Sequence, residues 1–260
     1  MRKSKFYDTI DSNHQKEYHM TNHPILDELD RYLHRNDYAS AEAFLLRKLP
    51  EADIPTEVLL RNELMGLYRK LGRREEALDM VAAALALIDR QRLSRNLGAA
   101  TTFLNAATVY KAFGLAERAL PLFERARELY EVNLSPSDSR LGGLYNNMGL
   151  ALVDLGRFEE AKTLYRKAIT IMEPTENGPL EVAITLLNLA SAAEAELGLQ
   201  EAEDAITDYL TRAESLLESH PRKDGYYAFV CEKCASVFGY YGWFVTQRTL
   251  TEQAERIYGA

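Results

Sequence analysis

Cys231 and Cys234 are the chain's two cysteines, and they stand three residues apart. On a helix that spacing puts both thiols on one face. A four-thiolate zinc site needs a second such pair, which the sequence lacks. Redox chemistry would want the thiols at a helix N-terminus, where the thiolate is favoured. They lie instead inside an apolar helical run, so the expectation is buried, unreactive thiols. His19 and His23 have the i,i+4 spacing of a helical metal pair, but Pro24 disfavours helix there and no third ligand is placed beside them. Gly142-Gly143 lacks the lysine and spacing of a phosphate loop, and no G-x-S-x-G elbow occurs. Glu75-Glu76 and Glu159-Glu160 stand at predicted helix starts, where the helix dipole accounts for them. No catalytic residue, metal or cofactor is assigned, and the chain is expected not to be an enzyme.

The chemistry that does recur is that of amides. Asn105, Asn147 and Asn188 fall at one position of a repeating unit, with Asn62 one place earlier in its own unit and Asn146 at that same earlier place. Asparagine is mildly unfavourable inside a helix, so its recurrence there invites an explanation. A column of amides can both donate to and accept from an extended peptide backbone. Alternatively, each amide bonds a neighbouring helix and fixes the stacking. Residues expected to face the same groove are Arg69, Lys70, Thr101, Leu104, Thr108, Lys111, Leu150, Asp154, Ser191 and Glu194. The basic ones belong to earlier units and the acidic ones to later units. That polarity suits a ligand with one acidic and one basic end, although a solvated charge is the plainer reading of any one of them.

The elements that must position these residues are read from glycines at 72, 114, 156 and 198, each 42 after the last. Each sits in a similar short loop: Leu71-Gly72 before Glu75-Glu76-Ala77, Phe113-Gly114 before Glu117 and Ala119, Leu155-Gly156 before Glu159-Glu160-Ala161, and Leu197-Gly198 before Glu201-Ala202. Asn36 marks a weaker copy before Ala41. Glycine accepts the left-handed conformation that ends a helix, the acids suit the next helix's first turn, and alanine lets two helices approach closely. Apolar residues recur at three and four, as in Leu144, Met148, Leu152 and Leu155. Connectors carry breakers: Pro50 and Pro55, Pro136, Pro174 with Gly178-Pro179, and Pro221 with Gly225. A lone hairpin cannot cover its apolar faces, so the units must stack.

These residues resemble the tetratricopeptide repeat. The clearest unit carries Tyr145, Met148-Gly149, Leu152, Gly156, Phe158, Ala161, Tyr165 and Ala168; the preceding one carries Phe103, Ala106-Ala107, Tyr110, Gly114, Ala119, Phe123 and Ala126. The unit before that has Arg61 at the first aromatic position, and the one around Gly198 has a turn one residue shorter. A 42-residue period exceeds the family's common 34 by about two helical turns, which is similar to the long-helix repeats of kinesin light chains and bacterial relatives. The resemblance implies an all-α fold, a right-handed superhelical solenoid of stacked antiparallel helix pairs whose first helices line a concave groove. It also implies that asparagines at the Asn105, Asn147 and Asn188 position grip a peptide.

The chain is read as three segments: a polar stretch over 1–22, disordered or packed on the first repeat; about five hairpins over 23–225; and a capping hairpin over 226–260 that lacks the glycine–alanine turn. Pro121 is expected to distort its helix without breaking it. The last segment is rich in aromatics, among them Tyr226, Tyr227, Phe229, Phe238, Tyr240, Tyr241, Trp243 and Phe244. These rings form either the core of a cap or an exposed anchor for a partner or a second copy of the chain. Hydrophobic residues make up 47%, enough for a substantial core. A net charge of −8 argues against general affinity for nucleic acid or an anionic membrane. No secretory signal or membrane span is apparent, so a cytoplasmic location is expected. The function expected is a non-catalytic scaffold that binds a protein or peptide segment in the groove. The alternatives are a self-associating module working through its aromatic C-terminal end, as a homodimer, and a signalling-peptide sensor.

Overall fold

The computed structural model describes residues 24–33 and 35–259, all of whose regular elements are helices. The N-terminal segment over 1–22 and the His19–His23 pair lie outside the described residues. Two compact units divide the chain between Leu134 and Ser135.

The first unit holds α1 (Pro24–Leu33), α2 (Tyr38–Lys48), α3 (Ile54–Lys70), α4 (Arg74–Arg90), α5 (Leu97–Ala112) and α6 (Ala116–Asn133). Consecutive helices pack as hairpins, and the first helices α3 and α5 also lie side by side. The second unit holds α7 (Ser139–Asp154), α8 (Phe158–Met172), α9 (Gly178–Leu197), α10 (Glu203–Ser219), α11 (Gly225–Tyr240) and α12 (Phe244–Tyr258). Here α7, α9 and α11 are the first helices, and α9 packs against both of the others.

The two kinds of helix start differently. First helices follow a connector, and an Asx side chain caps their open N–H groups. Asp53 accepts from Thr56 N at 3.0 Å, Asn96 from Ala99 N at 2.7 Å, Asp138 from Arg140 N at 3.0 Å and Asp224 from Tyr226 N at 3.0 Å. Gly178-Pro179 starts α9 instead, with proline where no N–H is needed. Most second helices leave directly from the glycine turn. Gly72, Gly114 and Gly156 adopt φ of +69°, +74° and +72°. The next residue's N–H then closes the turn on a carbonyl five back: Arg73 on Tyr68 at 2.9 Å, Leu115 on Tyr110 at 2.8 Å and Arg157 on Leu152 at 2.8 Å. The Gly198 turn differs as its shorter loop requires, with Ala202 N donating to Gly198 O at 3.1 Å.

The capping hairpin is more regular than the sequence suggested. Gly242 has φ +83° and Trp243 N donates to Phe238 O at 2.9 Å, so the same glycine turn is present. What is missing is the small residue five positions on, where Gln247 replaces alanine. Its partner helix supplies the space: a Cβ on Gly239 would come within 2.4 Å of the Gln247 side chain. The small residue has moved across the hairpin. Pro121 lies inside a continuous α6, as expected.

Tyr226, Tyr227 and Phe238 are buried in this hairpin, whereas Tyr240 and Phe244 are 55% and 68% exposed. The aromatic cluster is therefore divided between core and surface. Cys231 and Cys234 are buried, and burial pushes both thiols up, away from the reactive thiolate.

Candidate peptide-binding face

Asn105 and Asn188 bond to neighbouring first helices, and they do so in the same way in both units. In the first unit, Asn105 Nδ2 on α5 donates to Asn62 Oδ1 on α3 at 3.0 Å. Asn62 Nδ2 in turn donates to Thr102 Oγ1 at 2.9 Å and to its own helix at Val58 O, 3.0 Å. In the second unit, Asn188 Nδ2 on α9 donates to Asn146 Oδ1 on α7 at 3.0 Å. The asparagine at the column position thus reaches the one at the earlier place on the preceding first helix. Asn147 is buried and donates to Gly143 O of its own helix at 3.0 Å.

This geometry has a directional consequence. Asn105 and Asn188 each commit one amide N–H sideways. Their carbonyl oxygens have no hydrogen-bond partner among the described residues; Asn105 is half-buried, whereas Asn188 is only 4% exposed. A fixed amide with an open acceptor can receive a peptide N–H at little entropic cost.

The other expected residues are distributed unevenly. Thr108 is buried and its hydroxyl donates to Leu104 O at 2.9 Å, so it is spent on its own helix. Leu150 and Lys111 are buried, Arg69 is half-buried and Asp154 is exposed. Thr101 Oγ1 is 3.0 Å from the hydroxyl of Tyr130 on α6.

Two carboxylates on α9 gain partners that sequence spacing does not announce. Glu181 is only 4% exposed, in the helix's first turn, and accepts from the hydroxyl of Tyr226 on α11. Burial pushes its carboxyl up to about 7, against the opposing pull of Lys233. Near the other end of α9, Glu194 Oε1 accepts from the Tyr240 hydroxyl at 2.6 Å and Oε2 from the Tyr241 hydroxyl at 2.9 Å. Glu194 was expected on the groove, but its tyrosine partners come from the C-terminal hairpin, which was read as a cap or as an anchor for a partner or second copy and not as part of that groove. No group of three His, Cys, Asp or Glu side chains that could hold a metal occurs among the described residues. Nor is any helix among them long and apolar enough to cross a membrane.

The sequence profile of the tetratricopeptide repeat matches residues 56–131 and 140–215, the first spanning most of α3 to α6 and the second most of α7 to α10. The chain belongs to the tetratricopeptide repeat family. No curated relative matches it. Among solved structures, this tetratricopeptide repeat chain is similar to BtubC (BKLC) from P. vanneervenii, with a TM-score of 0.63 and 21% identity over 81% of this chain and 89% of that one. It is also similar to the kinesin light chain TPR-like repeats of Podosopora anserina, with a TM-score of 0.53 and 19% identity over 78% of this chain and 95% of the other. A third similarity is to NprR in complex with its cognate peptide NprX, with a TM-score of 0.58 and 17% identity over 93% and 70% of the two chains. At these identities the likeness is one of fold. It agrees with the expectation of kinesin-light-chain-like and bacterial relatives.

Proposed function

We propose that the chain is a non-catalytic scaffold whose first-helix faces, one in each unit, hold extended segments of a protein or peptide. The observation that carries this reading is the repeated amide geometry. Asn105 and Asn188, at one repeat position in two separate units, are each oriented by a sideways bond and keep a carbonyl oxygen for a ligand N–H. Asn147 holds the same repeat position, and Asn62 and Asn146 act as the anchors that orient the others. Arg69, Lys111 and Thr108 are assigned to the face of the first unit, and Leu150 and Asp154 to that of the second. Backbone recognition of this kind tolerates many sequences, while flanking side chains supply selectivity. That NprR is described with a bound cognate peptide makes a peptide ligand a natural case for this fold.

The test is affinity capture from source-cell lysate with the full chain and with an Asn105→Ala, Asn147→Ala, Asn188→Ala variant. The helical signal should survive, because alanine's higher helix propensity offsets part of each lost bond of about 1 kcal/mol. A partner retained by the wild type should be lost by the folded variant. Equal retention by both would place binding elsewhere and remove the reading.

A further inference from the structure

Glu194 differs from most of the carboxylates that make side-chain bonds in this chain. Glu76 pairs with Arg73 at 2.8 Å, Glu159 with Lys162 at 2.9 Å, Glu160 with Arg157 at 2.7 Å and Glu42 with Arg73 at 2.6 Å. Glu194 is held only by two phenols, at 2.6 and 2.9 Å, and has no cationic partner among the described residues. Neutral donors orient a carboxylate but leave its charge uncompensated. Each of its oxygens accepts one phenol proton and so keeps a further lone pair.

The two phenols also bring their rings. Tyr240 and Tyr241 meet edge to face, with centroids 4.9 Å apart and planes at 80°. Tyr240 is 55% exposed, and its hydroxyl joins that ring to an oriented, half-buried negative charge. Burial, reinforced by the bond to Glu194, pushes the Tyr241 phenol well up, so it stays a proton donor at neutral pH. An oriented carboxylate flanked by aromatic rings is the arrangement that attracts a guanidinium or ammonium group, through charge and through the ring quadrupole.

The place along α9 fits a ligand already held by the amides. Asn188, Ser191 and Glu194 follow one another at steps of three residues. Asn188 bonds toward α7 and Glu194 toward α11, so the row crosses α9 from one neighbour to the other. Six residues of helix rise about 9 Å. A segment whose backbone meets Asn188 can therefore deliver an arginine or lysine side chain to Glu194.

We infer that Glu194, Tyr240 and Tyr241 form a recognition site for a basic side chain, an arginine or lysine of the bound segment. The inference rests on the groove reading for its ligand and makes that ligand more specific.

The experiment follows the NMR amide and aromatic shifts of the full chain during titration with Nα-acetyl-arginine amide, and with the neutral isostere Nα-acetyl-citrulline amide, to ~50 mM, the range suited to one side chain. A saturable change is expected with the arginine probe, at least about tenfold weaker with citrulline, a loss of ~1.4 kcal/mol. Glu194→Gln, which keeps an acceptor for the phenols, should lose the arginine response while keeping wild-type helicity. If its helicity falls, Tyr240→Ala, a change at an exposed ring, decides in its place. No response to arginine, equal response to both probes, or an undiminished response in the folded variant would overturn the inference. Asn188→Ala separates the two claims: a lone residue offers no extended backbone, so the arginine response should persist there even where longer peptides are lost.

Discussion

Glu181→Gln is expected to stabilise the fold at pH 8 by up to about 3 kcal/mol and to change it by less than about 1 kcal/mol at pH 5. The carboxyl is buried where α9 meets α11, with the Tyr226 hydroxyl as its hydrogen-bond partner. Its folded value, raised from 4.5 to about 7 by burial, means that the folded chain binds this proton more tightly than the unfolded chain does. Its contribution is therefore fully present below about 4.5 and is lost as pH rises through about 7. At ~1.4 kcal/mol per pH unit, that interval gives the stated size. Lys233 on α11 is the charged group that limits the shift, and the buried Cys234 thiol stays neutral beside it. Glutamine keeps the acceptor for Tyr226 and removes the charge. Urea midpoints of both proteins at pH 5 and pH 8 check this, and a difference that is the same at both pH values would contradict it.

Gly149→Ala is expected to cost about 1–2 kcal/mol, although alanine normally favours a helix over glycine by about 1 kcal/mol. Gly149 lies inside α7, and a Cβ there would stand 2.6 Å, 2.9 Å and 3.0 Å from three ring atoms of Tyr165 on α8. Tyr165 is fully buried, so its ring can shift only against the side chains packed around it. The overpacking exceeds the propensity gain. Tyr165→Leu loses part of the core alone but relieves the clash, so the double variant should be more stable than the sum of the single changes implies. Thermal melts of the four proteins give the coupling; strict additivity would show that the ring does not set the requirement for glycine.

Much of the fold was legible because its signals are local. Gly72, Gly114 and Gly156 need a left-handed backbone that few other residues accept, and Ala77, Ala119 and Ala161 are fully buried where the helices close. The sixth turn was not read from the sequence. Gly242 falls 44 residues after Gly198, and its space-making partner is Gly239 on the opposite helix. A pattern search for glycine followed by alanine passes over such a swap. The candidate face was legible as a set of positions but not as a set of bonds. The pairings Asn105 to Asn62 and Asn188 to Asn146 depend on how adjacent first helices are offset, which no single repeat contains. Glu181 reads in sequence as an ordinary acid at a helix start; only the packing of α11 makes it a buried one. Glu194 and its two tyrosines lie 46 and 47 residues apart, outside any equivalent repeat positions.

The central claim is that the oriented asparagines of the first helices grip a peptide backbone. Random dodecapeptides selected on the immobilised full chain, and then measured on the Asn105→Ala, Asn147→Ala, Asn188→Ala variant, test it most directly. The account predicts peptides that bind the wild type, lose at least about tenfold on the variant, and lose binding again when single peptide bonds that face the amides are N-methylated. Peptides that bind the folded variant as tightly as the wild type, and tolerate methylation at every bond, would contradict it.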